Sequence, residues 1–260
     1  MRVALGIAYR GSAYSGWQSQ PSGRTVQDRL DQALSSFVGT PLRSVCAGRT
    51  DAGVHALNQV VHLDAQVERD EVAWIRGTNR YLPADIAVQW SRLVPDSFHS
   101  RASAMGRRYV YVLLESAVRP ALESGLAGWT FRPLDRAAMR EAAEALLGRH
   151  DFTAFRSAEC QAPSPVKTMR SLTIEQRGAY WHFSFDADAF LHHMIRNVVG
   201  CLVAVGSGAR PASWLAQVLA ARDRALAAAT FAADGLYFVG PYYDPIHAIP
   251  ERTAAMDWLL

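Results

Sequence analysis

The chain has 260 residues, half of them hydrophobic and a fifth charged, with a formal net charge of +3. That is enough for one or two globular domains, and the near-balanced charge announces no polyanion-binding tail. No apolar run approaches the ~20 residues that a bilayer crossing needs, and no leader-like cleavage pattern follows Met1, so a cytoplasmic protein is expected. Cys46, Cys160 and Cys201 are odd in number and far apart, which argues against a disulfide framework and a thiolate metal site; they read as three small buried thiols. Of the 27 basic residues 26 are Arg, Lys167 being the sole Lys. Arg forks onto phosphate and stacks on bases, although genomic composition accounts for the same bias in so Ala-rich a chain.

In chain order, Arg2 to Tyr9 alternates as a strand does. Thr25 is the N-cap of a helix whose apolar face is Val26, Leu30, Leu34 and Phe37. Arg43 to Ala47 and Leu57 to Leu63 read as two further strands. A helix near Glu71 to Asn79 and a strand from Ile86 to Leu93 complete the set.

The order then repeats. Arg108 to Leu114 is a strand, and Asp135 caps a helix carrying Met139, Ala142, Ala143, Leu146 and Leu147. Asp151 to Met169, with Pro163 and Pro165, reads as an irregular insertion. Ser171 to Gln176 and Tyr180 to Ala187 form a hairpin turning at Arg177-Gly178-Ala179. An apolar helix is expected from Ala189 to about Val205, another beginning near Pro211, and helix-forming filler from Ala216 to Ala233. Leu236 to Val239 closes as a strand.

Each half is therefore β-α-β-β-α-β. The expected fold is α/β (α+β): two fused ferredoxin-like units, residues 1–103 and 104–260, with joined antiparallel sheets and a central cleft. The most informative stretch is Cys46-Ala47-Gly48-Arg49-Thr50-Asp51-Ala52-Gly53-Val54-His55, a carboxylate in a tight loop between two strands. Gly48 and Gly53 let the backbone turn sharply, and Thr50 can fix the loop through its hydroxyl. By spacing alone, such an Asp is more often a turn residue than a catalytic one.

The string G-R-T-D-A-G-V-H resembles the signature of the tRNA pseudouridine synthase I family (TruA type). The resemblance runs nearly the whole chain, through Gly16-Trp17-Gln18, Thr25-Val26-Gln27, Gln59-Val60-Val61-His62, Phe98-His99, Arg107-Arg108-Tyr109-Val110-Tyr111, His150-Asp151-Phe152-Thr153, His192-His193-Met194-Ile195-Arg196-Asn197 and Gly235-Leu236-Tyr237. Arg10 and Asn58 depart from it, standing where Asp and Gly are common. The resemblance implies the pseudouridine synthase fold and an isomerase acting on uridines 38, 39 and 40 of the tRNA anticodon stem-loop, as a homodimer without cofactor. Asp51 is then the catalytic carboxylate, and Arg196 the cation that keeps it ionised. Tyr109 is the platform for a flipped base, Arg49 the contact to phosphate or sugar, and Leu236 a pocket wall. By pattern alone Tyr109 is a core strand residue and Arg196 a structural ion-pair former. The alternatives are a pseudouridine synthase on another RNA and a non-catalytic tRNA-binding protein of the same fold. No metal site is expected: His192 and His193, taken as neighbours on a helix, diverge by about 100°, and His55 and His62 lack an acidic or Cys companion.

Overall fold

The computed structural model describes residues 1–251. The C-terminal end of the second expected domain, residues 252–260, lies outside the described residues. Backbone contacts separate the described residues into two compact units: residues 1–106 with 237–251, and Arg107–Leu236.

In the first unit, β1 (Arg2–Tyr9) lies between β4 (Ile86–Val94) and β3 (His55–Asp64), antiparallel to both. β2 (Val45–Cys46) adds antiparallel at Val61 and His62. At the other end of β3, β10 (Leu236–Tyr243) pairs parallel, Tyr237 with His55 and Phe238 with Ala56. The order β4-β1-β3-β2 is that of a split β-α-β unit. Its helices form where the sequence places them. Thr25 caps α1 (Val26–Val38), accepting from the Asp28 N–H, and Gly39 ends it in the left-handed region at φ 84°. Val26, Leu30 and Leu34 are buried, each burial worth about 1.5–3 kcal/mol. Phe37 meets Trp74 of α2 (Glu71–Asn79) edge-on, ring centres 5.5 Å apart. Gly77 permits this approach, because a Cβ there would fall 2.0 Å from the Phe37 ring.

The second unit carries the antiparallel order β5 (Ala104–Glu115), β9 (Tyr180–Ala187), β8 (Val166–Arg177), β7 (Gly148–Asp151), with β6 (Gly128–Thr130) parallel on β5. Its helices are α3 (Arg136–Glu144), α4 (Met194–Gly206) and α5 (Ser213–Ala221). Asp135 caps α3, and Met139, Ala142 and Ala143 are its buried face. Leu146 is buried beyond the helix end.

Four expectations are corrected here. Residues 151–169 are not wholly irregular: Thr153–Phe155 is a 3-10 turn, and Val166 to Met169 pair with β7 inside β8. The prolines, Pro163 and Pro165, sit just before the strand, where a missing N–H breaks no ladder. The apolar helix begins at Met194 rather than Ala189. Pro211 precedes the Ala212 cap of α5 instead of opening the helix. Most of the Ala-rich tail is not helix: α5 stops with Arg222 at φ 53°, and the following chain runs as a short 3-10 turn and extended segment. Arg224 holds that path through the carbonyl of Ala228 (2.9 Å) and the side chain of Asn197 (3.1 Å). Tertiary hydrogen bonds thus override alanine's local preference.

Candidate active site

The loop between β2 and β3 is fixed at every turn. The Gln59 side chain clasps Gly48, its amide donating to the Gly48 carbonyl and its carbonyl accepting the Gly48 N–H. Thr50 is 7% exposed, shares a 2.7 Å hydrogen bond with the Tyr9 hydroxyl, and accepts from the Trp17 N–H at 3.0 Å. Its expected role as loop anchor is therefore met. The Asp51 carbonyl accepts the Val54 N–H at 3.2 Å, closing a four-residue turn with Gly53 at φ 82° in its third position. Only a residue without Cβ takes that conformation cheaply. Asp51, half-buried, heads the turn, and Arg49 beside it is exposed.

Tyr9, Gly11, Gly16 and Trp17 support this loop, and sequence reading assigned none of them a physical task. Gly11 lies flat on Val54, whose carbonyl a Cβ would approach to 1.9 Å, and its N–H donates to His55 Nδ1 at 3.0 Å. The His55 ring stacks on Tyr237, ring centres 4.6 Å apart. Gly16 leaves room for the Thr50 carbonyl, which a Cβ would meet at 2.8 Å. The available signal was the cluster of glycines and aromatics at residues 9–17.

The two departures, Arg10 and Asn58, leave this geometry intact. Asn58 accepts from Trp90 Nε1 at 2.9 Å and donates to the Pro250 carbonyl at 3.1 Å. Gly6 and Gly240 make its room: a Cβ on Gly6 would stand 2.6 Å from the Asn58 Oδ1, and one on Gly240 2.8 Å from its carbonyl. Arg10 is exposed, its N–H bonded to the Asp85 carbonyl at 2.9 Å.

Within the second unit the structure gathers Arg196, the strand of Tyr109 and the segment leading to Leu236. Tyr109 on β5 is 9% exposed, with Phe190 edge-on at 5.1 Å. Two residues along, Tyr111 is fully buried; burial pushes its hydroxyl far up from the usual tyrosine value, so it stays protonated and donates to the Ala232 carbonyl at 2.9 Å. Its ring meets Phe231. Arg196, half-buried in the first turn of α4, donates through Nε to the Phe231 carbonyl at 2.8 Å, and its own carbonyl accepts the Phe231 N–H at 3.2 Å. Leu236 is 5% exposed. Gly235 before it is required by crowding, since a Cβ would sit 2.1 Å from the Val112 carbonyl.

The His192–His193 pair is corrected as well. Neither residue lies on the helix: His193 is its N-cap at φ 63°, and the two rings are 4.1 Å apart rather than splayed. A non-glycine residue in the left-handed region is uncommon, histidine being among those that enter it most readily. Asn197, completely buried, is the hub below: it donates to the Phe155 carbonyl at 2.8 Å and accepts from Thr230 at 2.7 Å and Arg224 at 3.1 Å. Cys160 is only partly buried, unlike Cys46 and Cys201. Burial raises its thiol pKa, but N–H donors from Ala162 and His192 and the Arg156 cation outweigh that and lower it overall.

The first unit presents the Asp51 carboxylate on a hydrogen-bonded turn; the second carries an aromatic strand and an arginine in the first turn of α4. The model of the family described as tRNA pseudouridine synthase matches residues 6–101 and 142–244. A tRNA pseudouridine synthase A of Methylibium petroleiphilum is 66% identical, aligned over all of both chains. Those of Polaromonas naphthalenivorans and Paracidovorax citrulli are 62% and 59% identical, again over the whole of both chains. The chain belongs to the tRNA pseudouridine synthase family, and so to the isomerases.

Proposed function

We propose that this chain converts uridines 38, 39 and 40 of the tRNA anticodon stem-loop to pseudouridine, with Asp51 as the catalytic carboxylate. The reading is carried by the Asp51 turn: a half-buried carboxylate whose carbonyl is tied to Val54 and whose preceding residue is bonded through both hydroxyl and carbonyl. Such restraint pre-pays the orientation that a reacting group needs. The isomerisation breaks N1–C1′, turns the uracil and joins C5 to C1′; a proton leaves C5 and one is gained at N1. Atoms and electrons balance without an external donor, so the chemistry calls for no cofactor.

In this reading a flipped uracil stacks on Tyr109, Arg49 takes the adjoining phosphate or sugar, Leu236 walls the pocket, and Arg196 supplies positive charge to the bound nucleotide and carboxylate. The enzyme works as a cytoplasmic homodimer. The deciding experiment incubates purified protein with unmodified tRNA and, in a parallel arm, with unmodified ribosomal RNA, both in EDTA-dialysed buffer, and maps pseudouridine by carbodiimide-dependent primer-extension stops. Stops confined to 38–40 are expected, whereas stops only on ribosomal RNA, or on no RNA, would defeat the assignment.

A further inference from the structure

The end of β1 bears on the catalytic loop more directly than its sequence suggests. The pairing of β1 with β3 slips between Ile7 and Tyr9, a local irregularity that re-aims the strand's last side chain. Tyr9 is 4% exposed, and its hydroxyl reaches Thr50 Oγ1 in a buried 2.7 Å hydrogen bond. Its ring packs on Trp17 at 5.7 Å, and the Trp17 N–H holds the Thr50 carbonyl at 3.0 Å. That carbonyl belongs to the peptide plane entering Asp51. The plane leaving Asp51 is held by the Val54 N–H. Both planes around the carboxylate-bearing residue are therefore pinned, the entering one through a Tyr9–Thr50–Trp17 brace.

We propose that Tyr9 is a positioning residue for the isomerisation: through Thr50 it fixes the backbone that aims Asp51. The proposal rests on Asp51 being the catalytic carboxylate. Removing the Tyr9 hydroxyl leaves Thr50 Oγ1 buried without this partner, so the Thr50–Asp51 peptide can shift while the substrate surface is untouched. A displacement near 1 Å at a reacting group costs about 10²-fold in rate. The loss therefore falls on kcat and spares KM.

The test compares Tyr9→Phe, Thr50→Val, their double variant, Thr50→Ser and Asp51→Asn by single-turnover rate on tRNA, tRNA affinity and melting temperature. Expected are losses of roughly 10- to 100-fold in rate for Tyr9→Phe and Thr50→Val, tRNA affinity near that of the parent, and a double variant no slower than the worse single one. Thr50→Ser, which keeps the hydroxyl, should recover most of the rate. A parental rate in Tyr9→Phe, additive losses in the double variant, or rates that simply track the folded fraction would each overturn the proposal. Full activity in Asp51→Asn would instead defeat the reading of Asp51, whatever the Tyr9 variants do.

Discussion

The loop from Cys46 to His55 and the entrance to α4 from Ala189 to Asn197 both carry the residues assigned to chemistry, yet they are held through different groups. The first is held through main-chain groups of Gly48, Thr50 and Asp51, joined by the Thr50 hydroxyl. The second is held through side chains: Asn197 binds residues 155, 224 and 230, and Arg196 residue 231. A residue tied through its backbone can change its side chain at little cost to the fold, whereas one whose side chain is the tie cannot.

Substitutions in the two regions put that contrast at risk. The largest effect is expected for Asp51→Asn, which keeps size and hydrogen bonding but loses the nucleophile or base. Pseudouridine formation should fall by 10³-fold or more, on the order seen when a reacting group is removed, with tRNA binding and melting temperature held. Turnover near the parent would take Asp51 out of the mechanism.

Asn197→Ala should do the reverse. The Phe155 carbonyl loses its Asn197 donor, at about 1–3 kcal/mol for a buried group left without a partner, while Thr230 and Arg224 keep each other at 3.1 Å and lose one bond apiece; the loss is read as a lowered urea midpoint. An unchanged midpoint would show that the hub does not hold the 222–235 segment.

Tyr109 falls between the two patterns and sharpens them. Tyr109→Phe keeps the aromatic face and should keep most activity. Tyr109→Leu should lose about 1–3 kcal/mol of transition-state binding, by analogy with base–aromatic stacking, at constant melting temperature. Equal losses of stability and rate in both variants would return Tyr109 to the core.

The smallest effect is a pH dependence outside both regions. His62 is 4% exposed, and burial, then His99 and Arg2, depress its pKa to about 4, with Asp64 opposing. Its Nδ1 accepts the Ser100 N–H at 3.2 Å, which requires an unprotonated nitrogen. A folded pKa below the unfolded value of ~6.5 means that its stabilising contribution is complete above that value and is lost as pH falls toward 4. Melting temperature should decline across that window in the parent and decline less in His62→Asn; identical profiles would remove His62 as the cause.

What is legible in the sequence follows the range of each interaction. Thr25 and Asp135 were readable as caps, and β1 and β9 to the residue, because capping and alternation are local rules. The glycine-flanked Asp51 turn was readable for the same reason. The start of α4, the left-handed His193 and the non-helical tail were not, since each depends on partners distant in sequence.

The sequence by itself determined the succession of strands and helices in the first unit, the Thr25 and Asp135 caps and the glycine-flanked loop that carries Asp51, all consequences of periodicity, capping and turn chemistry within about a dozen residues. Tertiary structure alone decided that Tyr9 and Gly11 brace that loop, that Asn58 lies between Trp90 and Pro250, and that alanines after Ala221 abandon the helix. The physical reason is one of strength. A helix propensity is worth a few tenths of a kcal/mol per residue, while a buried polar group left unpaired costs several times more, so the chain follows the distant partner.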